Sequence, residues 1–293
     1  MSEFNITVQG GKSIRLPVAG KYCDRDIVVT AEGGSEDLDA ILAEQEEIIA
    51  NLKEALQYKA SSGDEVTRSI VNRSIENYAD KEITSIGAYA FSECATLVSV
   101  NMPATTSIGA YAFSGCTMLS SVNLPLVTKI ASYGFSGCTS LKSVDLPNMT
   151  LLSNAYTFSG CSSLVHLNAP KVVQIGGYVF QSTGIVNLLL PATTSLGNGT
   201  FRYSALQRAD LPVCKSLGTY TFDQCASFTT LILRASSICK MLNANALTQT
   251  PIASGAGYIY VPSALVDSYK SATNWSNYAE QIRAIEDYPE ICG

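Results

Sequence analysis

The residue types that most often carry catalysis are sparse in this sequence. It contains one histidine, His166, among 293 residues, and no nucleophile or carboxylate is spaced around it as a catalytic partner would be. The run Gly10-Gly-Lys-Ser13 matches the end of a phosphate-binding loop, but the first glycine of that motif would fall on Ile6. Pro17 also blocks the helix that should follow such a loop. The sequence therefore predicts a protein that is not an enzyme and uses no cofactor.

Nine cysteines are present, a number that often indicates disulfides or a metal site. Zinc sites need close Cys-x-x-Cys pairs or several histidines, and neither occurs, so we predict no metal. Five of the cysteines instead recur at one position of a repeat: Cys94, Cys116, Cys138, Cys161 and Cys225. Stacked copies would lie about 4.8 Å apart, within disulfide reach, but parallel side chains are poorly aimed for that bond. We expect a ladder of small, buried, free thiols.

Composition and charge exclude several partners. Hydrophobic residues make up 46% of the chain and charged residues 15%, and the net charge is −6. Residues 36–59 alone carry −5, so the remainder is nearly neutral and lacks the clusters of Lys and Arg that nucleic acids require. No segment is apolar enough to span a membrane. The N-terminus shows no signal peptide, so we expect the chain to be made in the cytoplasm.

A repeat of about 22 residues dominates the chain from Ile86 onward. Its pattern is I/L-G-x-Y-x-F-S-G-C-x-x-L-x-x-V-x-L-P. The repeat phenylalanines are Phe91, Phe113, Phe135, Phe158, Phe180, Phe201 and Phe222. A unit this short cannot bury its own apolar face and must stack on its neighbours, which predicts a solenoid. Leucine and valine rows should point inward, and a proline should end each strand.

The pattern divides the chain into segments. We expect a small β docking segment at 1–34 with strands Phe4–Val8 and Asp26–Ala31, a helix at 35–60, a linker at 61–65, a solenoid of about seven repeats at 66–234, and a C-terminal cap at 235–293. Within the cap, Tyr258–Pro262 resembles a final strand and Ser263–Ile285 a helical stretch. Such a cap closes the exposed end of a solenoid.

The helix at 35–60 has an apolar stripe that is wider than a dimer seam. Ser35 can cap it, and acidic residues fill its first turn. The residues of the stripe are Leu38, Ile41, Leu42, Ile48, Ile49, Leu52 and Leu56. One interpretation is a coiled coil of three or more chains, which makes the protein a homo-oligomer such as a trimer. The other is a single amphipathic helix that packs against the solenoid.

Two repeated rows are candidates for binding. The first is the outward face of the strands and includes Asn101, Asn123, Asp145, Asn168 and His166. These groups suit hydrogen bonding to glycans or peptides, although a merely solvated sheet face has the same composition. The second row is Tyr89, Tyr111, Tyr133, Tyr156, Tyr178 and Tyr220, each two residues before the repeat phenylalanine. These tyrosines form either a half-exposed platform or a core ladder whose hydroxyls reach solvent.

The motif Ile-Gly-Ala-Tyr-Ala-Phe-Ser-Gly-Cys-Thr-Met-Leu-Ser-Ser-Val-Asn-Leu-Pro at 108–125 resembles the BspA-type leucine-rich repeat of bacteria. The ending at 258–275 is similar to the cap of that family. The resemblance implies a β-rich leucine-rich repeat solenoid with short turns and a mixed strand–helix cap. It also implies a role in adhesion or protein binding on a bacterial surface.

The first 60 residues resemble the start of structural proteins from phages and prophages of Firmicutes. The residues that carry this likeness are Gly10–Pro17, Gly20–Thr30 and Leu38–Glu46. The resemblance implies a phage or prophage tail fibre in the virion, with the repeats displayed on a stalk to recognise protein or glycan on a host surface. The alternative expectation is a bacterial cell-surface adhesin or an interaction scaffold.

Overall fold

The computed structural model describes three N-terminal strands at residues 5–7, 11–16 and 27–32, and then residues 77–79 and 81–292. The chain divides into two compact units, 1–74 and 75–293. The helix expected at 35–60, with all seven residues of its apolar stripe, and the linker expected at 61–65 lie outside the described residues. The oligomer therefore stays a prediction from sequence.

The N-terminal unit contains a three-stranded sheet. Its strands are β1 (Asn5–Thr7), β2 (Gly11–Leu16) and β3 (Ile27–Glu32). The central strand is β3, which pairs in parallel with β1 and antiparallel with β2. Two of these strands overlap the expected ones, but β2 was not predicted. Its flanking glycines and Pro17 were interpreted as breaks between strands, whereas here they bound a strand that pairs along five positions with β3.

The second unit is a solenoid with two rows of short strands. The first strand row consists of β4 (Asn77–Ala79), β6 (Ser99–Asn101), β8 (Ser121–Asn123), β10 (Ser143–Asp145), β12 (His166–Asn168), β14 (Asn187–Leu189), β16 (Arg208–Asp210), β18 (Thr230–Ile232), β20 (Tyr258–Val261) and β21 (Ile282–Ala284). The second strand row consists of β5 (Ser85–Ile86), β7 (Ser107–Ile108), β9 (Lys129–Ile130), β11 (Leu151–Leu152), β13 (Gln174–Ile175), β15 (Ser195–Leu196), β17 (Ser216–Leu217) and β19 (Lys240–Met241).

Strands within each row pair in parallel, one repeat apart. Ser99 pairs with Ser121, and Ile108 pairs with Ile130. Two repeats lack one residue between the phenylalanine and the following strand, yet Asn187 still pairs with Arg208. The missing residue falls in a turn, so the strands keep their register. Each residue of a coil therefore lies beside its counterpart in the next coil.

The core is built from continuous rows of identical or similar side chains. The phenylalanines from Phe91 to Phe222 are buried, and their rings stack with centroids 5.0 to 5.9 Å apart. The leucine and isoleucine rows that the sequence placed inside are buried as well. Val122 and Leu167, also expected inside, are only half-buried. Stacked aromatic rings add roughly 0.5–1.5 kcal/mol per pair beyond the area they bury.

The cysteine row lies next to the phenylalanine row, and each described member of the repeat is buried. The thiols of Cys116, Cys138 and Cys161 donate to the backbone carbonyl of the phenylalanine in the preceding coil, at 2.9 to 3.2 Å. The two shortened repeats place Thr183 and Ser204 at this position. The cysteines that the structure describes form no disulfide.

Small residues allow the coils to approach each other after the second strand row. A Cβ added to Gly176 would lie 2.2 Å from the backbone oxygen of Ser153 in the preceding coil. The N–H of Gly176 donates to the carbonyl of Leu152 at 2.8 Å. Ala131 occupies the same position in another coil, and its N–H still donates to the carbonyl of Ile108 at 2.9 Å. The position therefore takes small residues, and at Gly176 an added Cβ would require a shift of the backbone.

The C-terminal residues cap the solenoid with short elements. They are 3-10 helices at Ala244–Leu247, Ser263–Leu265, Trp275–Gln281 and Ile285–Asp287, with α1 at Val266–Ser271 and α2 at Pro289–Cys292. The strand expected near Tyr258 is β20. The helical stretch expected over 263–285 is broken after α1, because Ala272 is extended and Asn274 is left-handed with φ of 67°. The stretch then ends in β21.

The end of the chain folds over the outer face of the first strand row. Ile291 packs with Ile232 and Tyr260 in a small apolar cluster. Arg234 donates to both carboxylate oxygens of Asp210 and to the carbonyl of Ile291. Asp210 lies on the outward face of the strands, which the sequence predicts to face solvent, but it is buried beneath this segment with 8% of its surface exposed.

The phenylalanine row should dominate the stability of the solenoid. Phe158→Ala should lower the free energy of unfolding by about 3–5 kcal/mol, because it leaves a cavity between two stacked rings. Leu151→Ala, in the same coil but 53% exposed, is the control and should change it by less than about 1 kcal/mol. Urea denaturation measures both. Equal losses in the two variants would show that the phenylalanine stack is not the main source of stability.

Burial also sets how the cysteine row responds to alkali. Burial raises the pKa of the Cys116 thiol to about 12, and the repulsion of neighbouring Cys94 adds to the rise. The stability that this thiol contributes is therefore full below its unfolded value of 9.0 and is lost as the pH rises toward 12.

Cys116→Ser should fold, since Ser204 occupies the same position in another coil. Between pH 9 and 11 this variant should lose less unfolding free energy than the parent chain, by about 1 kcal/mol per pH unit. Urea denaturation at stepped pH measures the difference, with Ser121→Ala on the exposed strand face as control. Parallel losses in all three proteins would contradict a buried, neutral Cys116 thiol.

Candidate binding surfaces

The tyrosine row lies in the turn that leads from the second strand row to the repeat phenylalanine. Tyr89, Tyr111, Tyr133, Tyr156 and Tyr178 all have left-handed backbone, with φ between 56° and 61°. A side chain in this conformation is strained by roughly 1–2 kcal/mol relative to glycine. The chain nevertheless places a tyrosine there in five successive coils, so the rings must provide something that glycine cannot.

We call these five residues the tyrosine ladder, because their rings form one continuous stack. Successive ring centroids are 4.6 to 4.9 Å apart, and the ring planes differ by 5° or 6°. The N–H of Tyr111 donates to the carbonyl of Ser132 in the next coil, and the N–H of Tyr133 does the same to Ala155. Backbone hydrogen bonds therefore fix the spacing at which the rings meet.

The ladder is half-exposed and presents ring edges and hydroxyls. Tyr89 is 40% exposed, and the other four tyrosines are half-buried. Each ring from Tyr111 to Tyr156 has a ring against both faces, so only its rim is open. Within the described residues, the hydroxyls of Tyr111, Tyr133, Tyr156 and Tyr178 make no hydrogen bond. This geometry answers the question that the sequence left open: the tyrosines stand in a turn at the surface, apart from the phenylalanine core.

The Tyr111 hydroxyl remains protonated at neutral pH. Partial burial raises the pKa of Tyr111, and repulsion from Tyr133 and Tyr89 raises it further. A neutral phenol is both a donor and an acceptor of hydrogen bonds. The ladder can therefore offer a partner a line of uncharged polar tips at the spacing of β-strands.

Gly199 interrupts the row after Tyr178. It has φ of 59°, and a Cβ at this position would lie 2.4 Å from an atom of the Tyr178 ring. Tyr220, which the sequence placed in the same row, is consequently separated from the ladder. The Arg202 guanidinium lies over the rings of both Tyr203 and Tyr220, 4.7 and 5.1 Å from their centroids.

Arg202 is also paired with a buried carboxylate. Its Nε donates to Asp223, whose side chain is almost fully buried, at 2.7 Å. Tyr203, beside it, is 45% exposed. Sequence reasoning missed Arg202 and Tyr203 because neither belongs to the repeat pattern. The available signal was Gly199, the glycine in a row of tyrosines. It marks the coil in which the ring is missing and other side chains lie instead.

The polar row on the first strand row is exposed as expected. Asn101, Asn123, Asp145, Asn168 and His166 all face solvent. Asn123 donates to the side chain of Asn101 at 2.8 Å, and Asn168 donates to Asp145 at 2.7 Å. These amides are therefore partly used in side-chain ladders between coils. The polar row and the tyrosine ladder lie on different segments of each coil and form two surfaces, which the structure does not join into one site.

Two further classes of site are unsupported in the described part of the chain. Across residues 77–79 and 81–292, no three His, Cys, Asp or Glu side chains are grouped so that they could hold a metal ion. Among the helices described, none has the length and hydropathy needed to cross a lipid bilayer.

The left-handed backbone of the ladder can be tested by comparing glycine with alanine at one of its positions. Glycine should be the more stable of the two there, whereas alanine is the more stable at ordinary positions. Tyr133→Gly should be more stable than Tyr133→Ala by about 1 kcal/mol, because only alanine keeps the strain. The neighbouring Ser132 is not left-handed, so Ser132→Gly should instead be less stable than Ser132→Ala. Thermal and urea unfolding of the four variants measure this. The same order at both positions would contradict the turn geometry.

Sequence comparison identifies the repeat. The profile of the family described as BspA type Leucine rich repeat region matches in six copies, over residues 84–207 and 154–256. None of the curated proteins compared with the chain matches it significantly.

Several solved structures of bacterial proteins are similar. A leucine-rich repeat protein of T. pallidum is 22% identical over 66% of this chain and 81% of its own, with a TM-score of 0.41. A leucine rich cell surface protein of Faecalibacterium prausnitzii is 20% identical over 69% and 76%, with a TM-score of 0.32. A leucine-rich repeat protein of Bacteroides ovatus is 18% identical over 88% and 68%, with a TM-score of 0.39. Because the family profile covers more than half of its length, the chain belongs to the BspA-type leucine-rich repeat family.

Proposed function

We propose that this chain is a non-enzymatic protein of the bacterial cell surface that binds a partner protein along the tyrosine ladder. The observation that supports this most is the ladder itself: tyrosines at the surface in five successive coils, all held in left-handed backbone. The hydroxyls of Tyr111, Tyr133, Tyr156 and Tyr178 make no hydrogen bond within the described residues. Strain that is maintained in successive coils at the surface is typical of functional positions. Tyrosine is also among the residues that contribute most to protein interfaces.

The ring geometry favours a protein over a glycan. Sugars stack on the open faces of aromatic rings, but the faces of Tyr111, Tyr133 and Tyr156 are covered by their neighbours. The open rim offers apolar ring edges and a line of hydroxyls, which suits backbone and side-chain groups of a polypeptide. Glycan recognition, expected from the sequence as an alternative, has less support from this arrangement.

The polar row is the second candidate surface. Its one acidic residue is Asp145, and its amides bond partly to each other. Its far end is also covered, because the C-terminal segment lies over Ile232 and Tyr260. These features leave fewer groups available to a partner than the ladder offers.

The virion role expected from the first 60 residues is no longer our main proposal. The residues that carry that likeness, Gly10–Glu46, are described only in part, and the family profile begins at residue 84. The trimer expected from the helix at 35–60 likewise depends on residues that lie outside the described part of the chain and outside the family profile. A cell-surface role depends instead on the repeats, which make up most of the chain.

The ladder proposal predicts that binding depends on the hydroxyls while folding does not. A chain carrying Tyr111→Phe, Tyr133→Phe and Tyr156→Phe keeps the ring stack and should unfold within about 0.5 kcal/mol of the parent. Three lost hydrogen bonds of about 1 kcal/mol each should weaken binding at least tenfold. The measurement is retention of beads coated with the full chain on intact bacteria and on wells coated with fibronectin or mucin.

The matched control removes three exposed polar groups that stand at the position of His166 in other coils, on the same face as the polar row, by Ser121→Ala, Ser143→Ala and Asn187→Ala. It should bind like the parent chain. Trypsin treatment of the target surface should abolish retention, and periodate oxidation of its sugars should not. Loss of binding in the control but not in the tyrosine variant would place the contact on the polar row. Failure of the parent chain to bind any of these surfaces would contradict adhesion.

A further inference from the structure

Two cysteines that lie in consecutive coils differ from the rest of the described thiols. Cys214 and Cys239 are fully buried, and their sulfur atoms lie 3.6 Å apart. The repeat cysteines instead donate to phenylalanine carbonyls. Cys239 directs its thiol at the sulfur of Cys214, which in turn approaches the carbonyl of Ser216 at 3.4 Å. This pair was not singled out in the sequence, because Cys239 falls outside the repeat.

The break in the repeat brings Cys239 to this position. Arg234 stands where other repeats have proline, and the following strand begins later than the period requires. Even so, Lys240 pairs with Ser216. Cys239, the residue before Lys240, therefore lies against the last regular coil. Two groups of the cap then fix the backbone of Cys239. The Tyr269 hydroxyl accepts from the N–H of Cys239, and the Trp275 Nε1 donates to its carbonyl, both at 2.7 Å.

We propose that Cys214 and Cys239 are a disulfide site, which closes when the chain folds in the presence of a small-molecule disulfide such as oxidised glutathione. One thiolate attacks the glutathione disulfide and releases one glutathione, and the second thiolate then displaces the other from the mixed disulfide. The two protein thiols are oxidised to one disulfide, the glutathione disulfide is reduced to two thiols, and the two protons of the protein thiols pass to these two glutathione thiols. Cys214 and Cys239 lie just before β17 and β19, which pair in parallel. Paired strands run about 4.8 Å apart, which is within the Cα separation that disulfides span.

The surroundings of the two sulfurs differ in the folded chain. The hydrogen bond from Cys239 lowers the pKa of Cys214, whereas the same contact and burial raise the pKa of Cys239. Because both side chains are inaccessible in the folded chain, the exchange must take place before the cap closes or when it opens.

The bond would join the last regular coil to the cap covalently. It closes a loop of about 25 residues, which in the chain-entropy account stabilises the folded state substantially. For a unit of this size we expect the Tm to rise by roughly 5–10 °C on oxidation. This effect is independent of any binding by the tyrosine ladder.

The test is a thiol count on the full chain. The protein is refolded with reduced or with oxidised glutathione, denatured, labelled with a maleimide and weighed by mass spectrometry. Nine labels are expected after reduction, and seven after oxidation, because the bond removes two. A protease digest should contain one linked peptide pair, which carries Cys214 and Cys239. Nine labels under both conditions, or a link through any other cysteine, would overturn the proposal.

Three variants keep the test decisive. Cys214→Thr should fold, because Thr193 holds the same position one coil earlier, and it should retain all of its remaining thiols under oxidation. Cys239→Ser should behave in the same way. The control, Cys138→Ser, should still form the bond and show the rise in Tm. Circular dichroism checks that each variant is folded, and a linked parent chain whose Tm does not rise would refute the stabilising role.

Discussion

In-register stacking of the coils is the constraint on which the rest of this structure depends. Because each residue lies beside its counterpart about 4.8 Å away, a row favours side chains that accept a copy of themselves. Phenylalanine, tyrosine and asparagine do so, by ring stacking or by amide hydrogen bonds. Like charges would repel at this distance. The low charge of the solenoid follows directly, and charges in it alternate with neutral residues, as Asp145 does with Asn168, or are paired with an opposite charge, as Arg202 is with Asp223.

The tyrosine ladder shows that the rows balance opposing terms. Left-handed backbone disfavours tyrosine, whereas two ring contacts for each interior tyrosine offset that strain. At Gly199 the strain is relieved and the ring is lost, and the Arg202 guanidinium instead lies over Tyr203 and Tyr220. The tyrosine position of each coil is therefore defined by its left-handed backbone, and its side chain can differ between coils. A surface of this kind can vary in what it presents while the fold is kept.

The fixed period made the core predictable. The parts of the chain that depart from the period could not be predicted in the same way. Every repeat phenylalanine and the leucine rows could be placed inside because a fixed period assigns one environment to each position. The sequence left the tyrosines undecided between strand and turn, since a left-handed residue is usually signalled by glycine and here is tyrosine. Burial of Asp210 depends on Ile291, far away in the chain, and the broken helix depends on the conformation of Asn274. Such contacts belong to the cap, which has no repeat pattern from which they could be predicted.

The C-terminal end of the first strand row is covered by the cap. Toward the C-terminus, β20 and β21 extend the row, and Ile285 and Ile291 cover its outer face. The N–H groups of Phe222 and Gln224 find acceptors at Ala246 and Thr248, so the cap also completes the hydrogen bonds of the last turn. Both candidate surfaces are therefore available mainly on the coils before β16. A partner that engages the repeats would meet the tyrosine ladder and the uncovered part of the polar row over the same coils, while the cap serves to end the stack.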